Sequence, residues 1–205
     1  MEIYKKGSRG EMVKQIQKAL HLYVDGIFGT ITEEAVKDFQ KSGGLKANGI
    51  VGPATLAKLL PCRLKKSKRT INLILVHCTA TPEGKNFTVD DIRRWHKERG
   101  WSDIGYHYVI DLKGRRYVGR NVDTIGAHCE NHNSHSIGIV YVGGLDKDGK
   151  TPKDTRTLVQ KAALLKLLEE LRQLYPTAKI AGHRDYDKKG KACPCFDAKT
   201  EYIDI

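Results

Sequence analysis

The chain is expected to fold as an α/β (α+β) domain with a central mixed sheet flanked by helices, preceded by a small three-helix all-α domain. Three observations predict this. Residues 1–60 carry only helical periodicity, broken by two copies of one turn. From residue 71 onward, short runs of β-formers alternate with amphipathic helical stretches. Between the two, "PCRLKKSKRT" (61–70) holds five basic residues in ten and no apolar period, which reads as a solvated basic linker.

In the first segment "SRGEMVKQIQKAL" spaces Met12, Val13, Ile16, Ala19 and Leu20 for one helix face. "TEEAVKDFQKSGG" does the same with Ala35, Val36 and Phe39, then stops at Gly43-Gly44. "ATLAKLL" supplies a short third helix. The echo is "DGIFGTIT" (25–32) against "NGIVGPAT" (48–55). Gly26 and Gly49 suit a positive φ, and Thr32 and Thr55 are expected near helix starts. About 60 residues is near the lower limit for independent folding.

In the second segment "INLILVH" is an apolar run suited to a buried strand. "TVDDIRRWHKERG" is a helix with Thr88 as N-cap and Gly100 as its stop. "YHYVIDLKGRRYVGR" reads as a hairpin turning at Lys113-Gly114, and "SIGIVYVGG" as another strand. "TRTLVQKAALLKLLEELRQLY" is the longest helix, with Leu164, Leu167, Leu168, Leu171 and Leu174 on one face. "KIAGH" closes the sheet.

Composition sets outer limits. The 205 residues are 40% hydrophobic and 29% charged, an ordinary globular balance. No run approaches the ~20 apolar residues of a membrane span. The first twenty residues contain no signal-type apolar stretch, so synthesis in the cytoplasm is expected. A net charge of +12 favours an anionic partner. Nucleic acid is not expected, because no zinc finger, helix-turn-helix or aromatic RNA-binding strand is recognisable. Bacterial wall polymers are the other anionic candidate. The five cysteines (62, 78, 129, 193 and 195) are odd in number and unevenly spaced, which does not read as a disulfide framework.

The chemistry concentrates at strand ends. His77 closes "ILVH", His183 follows "KIAG", and Cys193 comes ten residues later, so a loop must fold back to bring them together. Two histidines and a thiolate would give zinc three protein ligands and leave a fourth position open for chemistry. Cys193-Pro-Cys195 is not the C-x-x-C of a redox motif. With eight histidines many triples are available, and spacing alone reaches only a zinc-hydrolase reading among others. His21, His96, His132 and His135 read as ordinary surface or core residues.

Two resemblances extend the reading. Residues 1–60 resemble the peptidoglycan-binding type 1 domain, through Gly7, Gly10, Val13 and Gln17; "DGIFG"; Thr32, Ala35, Val36, Phe39 and Gln40; and Asn48-Gly49, Gly52 and Thr55. Asn48 replaces the family's second Asp. Residues 71–197 resemble the zinc-dependent N-acetylmuramoyl-L-alanine amidases of the type 2 family, phage-lysozyme type, within a catalytic domain expected to span 71–205. The matching stretches are "VHCTAT", "IRRWHKERGWSDIGYHYVI", "GAHCENHNSHSIGIVYVGG" and "KACPCFD", in family order.

The second resemblance implies one zinc per chain held by His77, His183 and Cys193. It implies catalytic roles for Tyr106 and Lys191 and a substrate groove lined by His128 and Asn133. Many relatives carry a catalytic glutamate where this chain has Val140, which shifts the weight onto Tyr106 and Lys191. Cys78 reads as a buried thiol, and Cys195 lies outside the proposed metal shell.

The implied activity is cleavage of the amide between the lactyl group of N-acetylmuramic acid and L-alanine. Zinc would polarise that carbonyl and activate water. Lys191 or the Tyr106 hydroxyl would stabilise the oxyanion, and the division of labour stays open at this point. The implied protein is an endolysin acting on peptidoglycan after release from the cytoplasm. One alternative is a non-catalytic peptidoglycan receptor on the same fold, disfavoured because such relatives typically lose the cysteine ligand. The other is a zinc endopeptidase of the stem peptide, whose motifs are not found.

Overall fold

The computed structural model describes residues 3–59 and 64–205. Cys62 and the first part of the expected linker therefore lie outside the described residues. The chain divides into two compact units, Met1–Arg63 and Leu64–Ile205.

The first unit holds α1 (Glu11–Ala19), α2 (Thr30–Ser42) and α3 (Pro53–Leu59). Its core is Val13, Ile16, Phe28, Val36, Val51 and Leu59, with Met12, Ala19, Leu20 and Phe39 packed against it. The sequence echo has a physical basis. Gln17, buried in α1, donates through Nε2 to Asp25 Oδ1 (2.7 Å), Ile27 O (3.0 Å) and Thr32 Oγ1 (3.3 Å), while Oε1 accepts the Gly26 N–H (2.8 Å). Gln40 in α2 repeats every bond: Asn48 Oδ1 (3.1 Å), Ile50 O (2.9 Å), Thr55 Oγ1 (3.0 Å) and the Gly49 N–H (2.9 Å). Gly26 and Gly49 take φ of +75° and +71°, as the turn requires. Each glutamine thus latches one turn to the preceding helix. Thr32 and Thr55 stand near helix starts as expected, each the third residue of its helix. The N-cap of α2 is Gly29, and both threonines lie inside their helices as acceptors for the glutamines.

The second unit is built on β1 (Leu73–Cys78), β3 (Tyr108–Ile110), β4 (Arg116–Val118), β5 (Ser136–Tyr141) and β7 (Lys179–Gly182). Their order is β4-β3-β5-β1-β7, and only the β3–β4 hairpin is antiparallel. Gly114 turns that hairpin at φ +72°. Central β1 and β5 are buried at every residue, as parallel strands covered on both faces must be. A separate short pair, β2 (Thr81–Pro82) with β6 (Gly144–Leu145), was not anticipated.

Helix α4 (Val89–Glu98) begins with a capping box between Thr88 and Asp91 and ends ahead of Gly100 at φ +84°. Helix α5 (Leu158–Leu174) buries Leu164, Leu167, Leu168 and Leu171 completely; Leu174 is half-buried at its end. A short α6 (Ala198–Glu201) follows.

Residues 64–70, expected as solvated linker, belong to the second unit. The Ser67 N–H donates to Tyr175 Oη (2.6 Å), and Lys68 N–H to Asp123 Oδ1 (2.7 Å). Arg69 donates to the carbonyls of Val122, Asn133, Ser134 and Ser136. An Arg guanidinium presents five donors in a rigid fork, which lets one residue gather several loop carbonyls. The basic composition hid a structural strut.

Candidate metal centre and active site

The site forms where the parallel strands β1 and β7 end. His77 lies one residue from the end of β1, and His183 follows β7 directly. Their rings stand 4.6 Å apart. Cys193 reaches them because its loop is pinned back at three points. The Arg184 N–H donates to Cys193 O (2.7 Å), and the buried Tyr141 hydroxyl donates to Pro194 O (2.6 Å). Pro194 packs against Gly182, where an added Cβ would come within 2.6 Å of the proline ring. Gly182 is therefore required by the close approach of the loop.

Cys193 Sγ comes 3.8 Å from His77 Nδ1 and accepts the Cys78 N–H at 3.3 Å. One donor atom each from His77, His183 and Cys193 all lie within 4.8 Å of one another. Ligand atoms of a tetrahedral zinc, at bond lengths of about 2.0–2.3 Å, stand about 3.5 Å apart. The cluster fits such an ion after a small contraction. Its electrostatics also fit. Burial first, then the neighbouring imidazoles and Lys191, hold His77 well below the usual histidine range. Burial and Lys191 lower His183 as well. Both rings are thus kept neutral, the form that binds metal.

Tyr106 sits beside this cluster, its ring 5.2 Å from that of His77. It is half-buried, and burial pushes its phenol upward, so the hydroxyl keeps its proton at neutral pH. Lys191 is exposed, with Nζ 3.5 Å from Asp187 Oδ1, and its charge is felt at both histidines. Val140 is the Cα partner of His77 across the β1–β5 pair and packs in the core cluster that Tyr106 covers. No carboxylate reaches the site from that position.

His128 and Asn133 stand differently. His128 is buried, with Nδ1 3.1 Å from His77 Nε2 and Nε2 3.3 Å from Ser136 Oγ. Asn133 Oδ1 accepts the N–H groups of His128 and Cys129. Both residues shape the site from within the protein. Cys78 is buried, and its contact with Cys193 and burial push its thiol up to about 12 against the opposing effect of Cys195. Cys195 Sγ turns to Gly144 O (3.0 Å).

Asp187 and His107 escaped the sequence reading. Asp187 accepts the N–H groups of Lys189 and Lys191 and faces His183 Nε2 at 3.9 Å. Its spacing of four from His183 was a usable signal. His107 is fully buried and accepts the Gly138 N–H through Nδ1. Nothing in "GYHY" distinguishes it from a packing residue.

The N-acetylmuramoyl-L-alanine amidase pattern matches residues 67–196, which include every residue of this site. The chain belongs to that family. A second pattern, "Putative peptidoglycan binding domain", matches residues 9–59 of the amidase. The endolysin of Enterobacteria phage K11 is 45% identical over 122 residues, 60% of this chain and 79% of the relative. A peptidoglycan-recognition protein of Drosophila melanogaster is 31% identical over 137 residues, 64% of this chain and 72% of the relative. Among solved structures, the N-acetylmuramoyl-L-alanine amidase LysC from Clostridium intestinale URNW aligns with a TM-score of 0.55 at 29% identity. That alignment covers 66% of the amidase and 83% of LysC. Among the described residues, no helix of the amidase is long and apolar enough to cross a membrane.

Proposed function

We propose that this amidase is a two-part, zinc-dependent peptidoglycan hydrolase of the endolysin type. It would cut between the lactyl group of N-acetylmuramic acid and L-alanine. The observation that carries the reading is the convergence of His77, His183 and Cys193, with Tyr106 alongside, at one end of the sheet.

His77, His183 and Cys193 would hold zinc, which when bound supplies the Lewis acidity that activates water and polarises a carbonyl. The remaining steps fall to the chain. Lys191 brings an exposed positive charge to the rim, suited to the oxyanion that develops as the amide carbonyl becomes tetrahedral. Tyr106 keeps its proton at neutral pH and offers it as a hydrogen bond to that oxyanion or to the departing amine of L-alanine. Asp187 orders the backbone that carries Lys191.

The N-terminal unit would hold the enzyme on insoluble wall and so raise the effective substrate concentration for the second unit. Action from the cytoplasm after a separate membrane lesion suits the likeness to phage endolysins. The likeness to recognition proteins raises a receptor reading, against which the thiol of Cys193 stands beside His77. The test is digestion of purified peptidoglycan followed by mass spectrometry of the new ends. Free L-alanine amino termini paired with intact lactyl carboxylates are expected. Cleavage elsewhere in the stem, or none, would overturn the reading.

A further inference from the structure

We propose that His128 is a positioning residue: it accepts a hydrogen bond from His77 Nε2 and so holds the His77 Nδ1 lone pair on the metal position. The inference rests on the metal centre proposed above.

With Nδ1 as the ligand atom of His77, one choice of tautomers makes the contacts mutually consistent. His77 Nδ1 is the atom facing Cys193, so in a neutral ligand ring the proton is on Nε2. That atom lies 3.1 Å from His128 Nδ1, with the two rings edge to face at 82°. His128 Nδ1 must then be the acceptor, which leaves its own proton on Nε2. There Ser136 Oγ waits at 3.3 Å, on a residue with no exposed surface. The three groups form one consistent relay, His77 to His128 to Ser136.

The His128 ring sits in a slot made by two glycines. A Cβ on Gly126 would come within 2.5 Å of the His128 ring, and one on Gly138 within 2.6 Å. Gly138 is itself held by His107, whose Nδ1 accepts its N–H at 3.0 Å. The backbone of His128 is fixed by Asn133 Oδ1 at 2.8 Å. Ring, backbone and walls are therefore all set before a ligand arrives. A histidine only 8% exposed, with both nitrogens engaged by protein, is poorly placed to bind substrate. It is well placed to orient a ligand, and partners of this kind typically contribute about 10–100-fold in metal affinity.

The full chain tests this by zinc competition against a chromophoric chelator, in wild type, His128→Ala and His128→Asn. The alanine variant removes the acceptor, whereas the Asn amide oxygen reaches roughly where Nδ1 sits. We expect His128→Ala to bind zinc about 10–100-fold more weakly and His128→Asn to recover most of that loss. Alanine affinity within about threefold of wild type, or equal loss in both variants, would overturn the proposal. Should His128→Ala fail to fold, long-range nitrogen–proton NMR of the zinc-free wild type decides instead. A proton on His77 Nε2 supports the proposal and a proton on Nδ1 overturns it. Wild type that takes up no zinc would sink the metal centre itself, a separate outcome from either variant result.

Discussion

Cys193 Sγ lies 3.8 Å from His77 Nδ1, although 116 positions separate the two residues. Cys195, two residues further on, turns its sulfur instead to Gly144 O. This contrast sets the first prediction. Freshly purified protein should contain about one zinc per chain, removable by chelator and restored by added metal. His77→Ala, His183→Ala and Cys193→Ala should each lose zinc and activity together, while Cys195→Ala keeps both. Elemental analysis of the four variants checks this, and zinc loss in Cys195→Ala alone would move the ligand assignment by two residues.

Tyr106 and Lys191 should separate from the ligands in the same assay. Neither offers an atom to the His77–His183–Cys193 cluster, so Tyr106→Phe and Lys191→Ala should retain wild-type zinc. Turnover on soluble muropeptide should fall by ~100-fold or more, the usual scale for losing an acid–base or oxyanion group. Val140 offers no carboxylate to compensate. Nearly full rates in either variant would remove that residue from the mechanism.

Stability should depend on pH in a direction fixed by buried histidines. Burial holds His96 and His107 at about 4, against 6.5 for the free side chain. Between those values the unfolded chain binds protons that the folded chain refuses. Stability is therefore full above pH 6.5 and falls as pH drops toward 4, by at most about 1.4 kcal/mol per pH unit for each group. Thermal melts of chelator-treated protein should show a lower Tm at about pH 5 than at about pH 7.5. His96→Asn keeps an acceptor for the Gly105 N–H that His96 Nδ1 now takes, and should reduce the dependence by the His96 share while that of the other buried histidines stays. A Tm unchanged by pH in wild type would refute the assignment.

The glutamine latches give a test of the N-terminal unit. Gln17→Ala strands the Gly26 N–H, a loss of about 1–3 kcal/mol. That is a large share of the few kcal/mol available to a unit of this size. The full-length variant should sediment less with insoluble wall at about 37 °C yet cleave soluble muropeptide at the wild-type rate. Gln40→Ala should behave alike, because its bonds repeat those of Gln17. Undiminished wall binding by both variants would show that the latched turns are dispensable.

The sequence by itself determined helices α1 to α5 and the five strands of the main sheet, and it singled out the residues to consider as ligands. Those features depend on local rules: three-and-four spacing in α1, α2 and α5, the Thr88 cap, the Gly114 turn, and unbroken apolar runs in β1 and β5. His77, His183 and Cys193 were legible through motif order, and their convergence followed from the resemblance, but the contacts that produce it were not legible. The convergence depends on β1 and β7 lying side by side and on Pro194 settling against Gly182. Only the tertiary structure brought Arg69, His128, Asp187 and the two glutamines to their hydrogen-bond partners. Arg69 looked like linker charge, and only folding brings four carbonyls within reach of its guanidinium. The physical reason is the same for each. Helix and strand signals are written in neighbours a few residues apart, whereas a hydrogen-bond partner tens of positions away is chosen by packing, which no local spacing records.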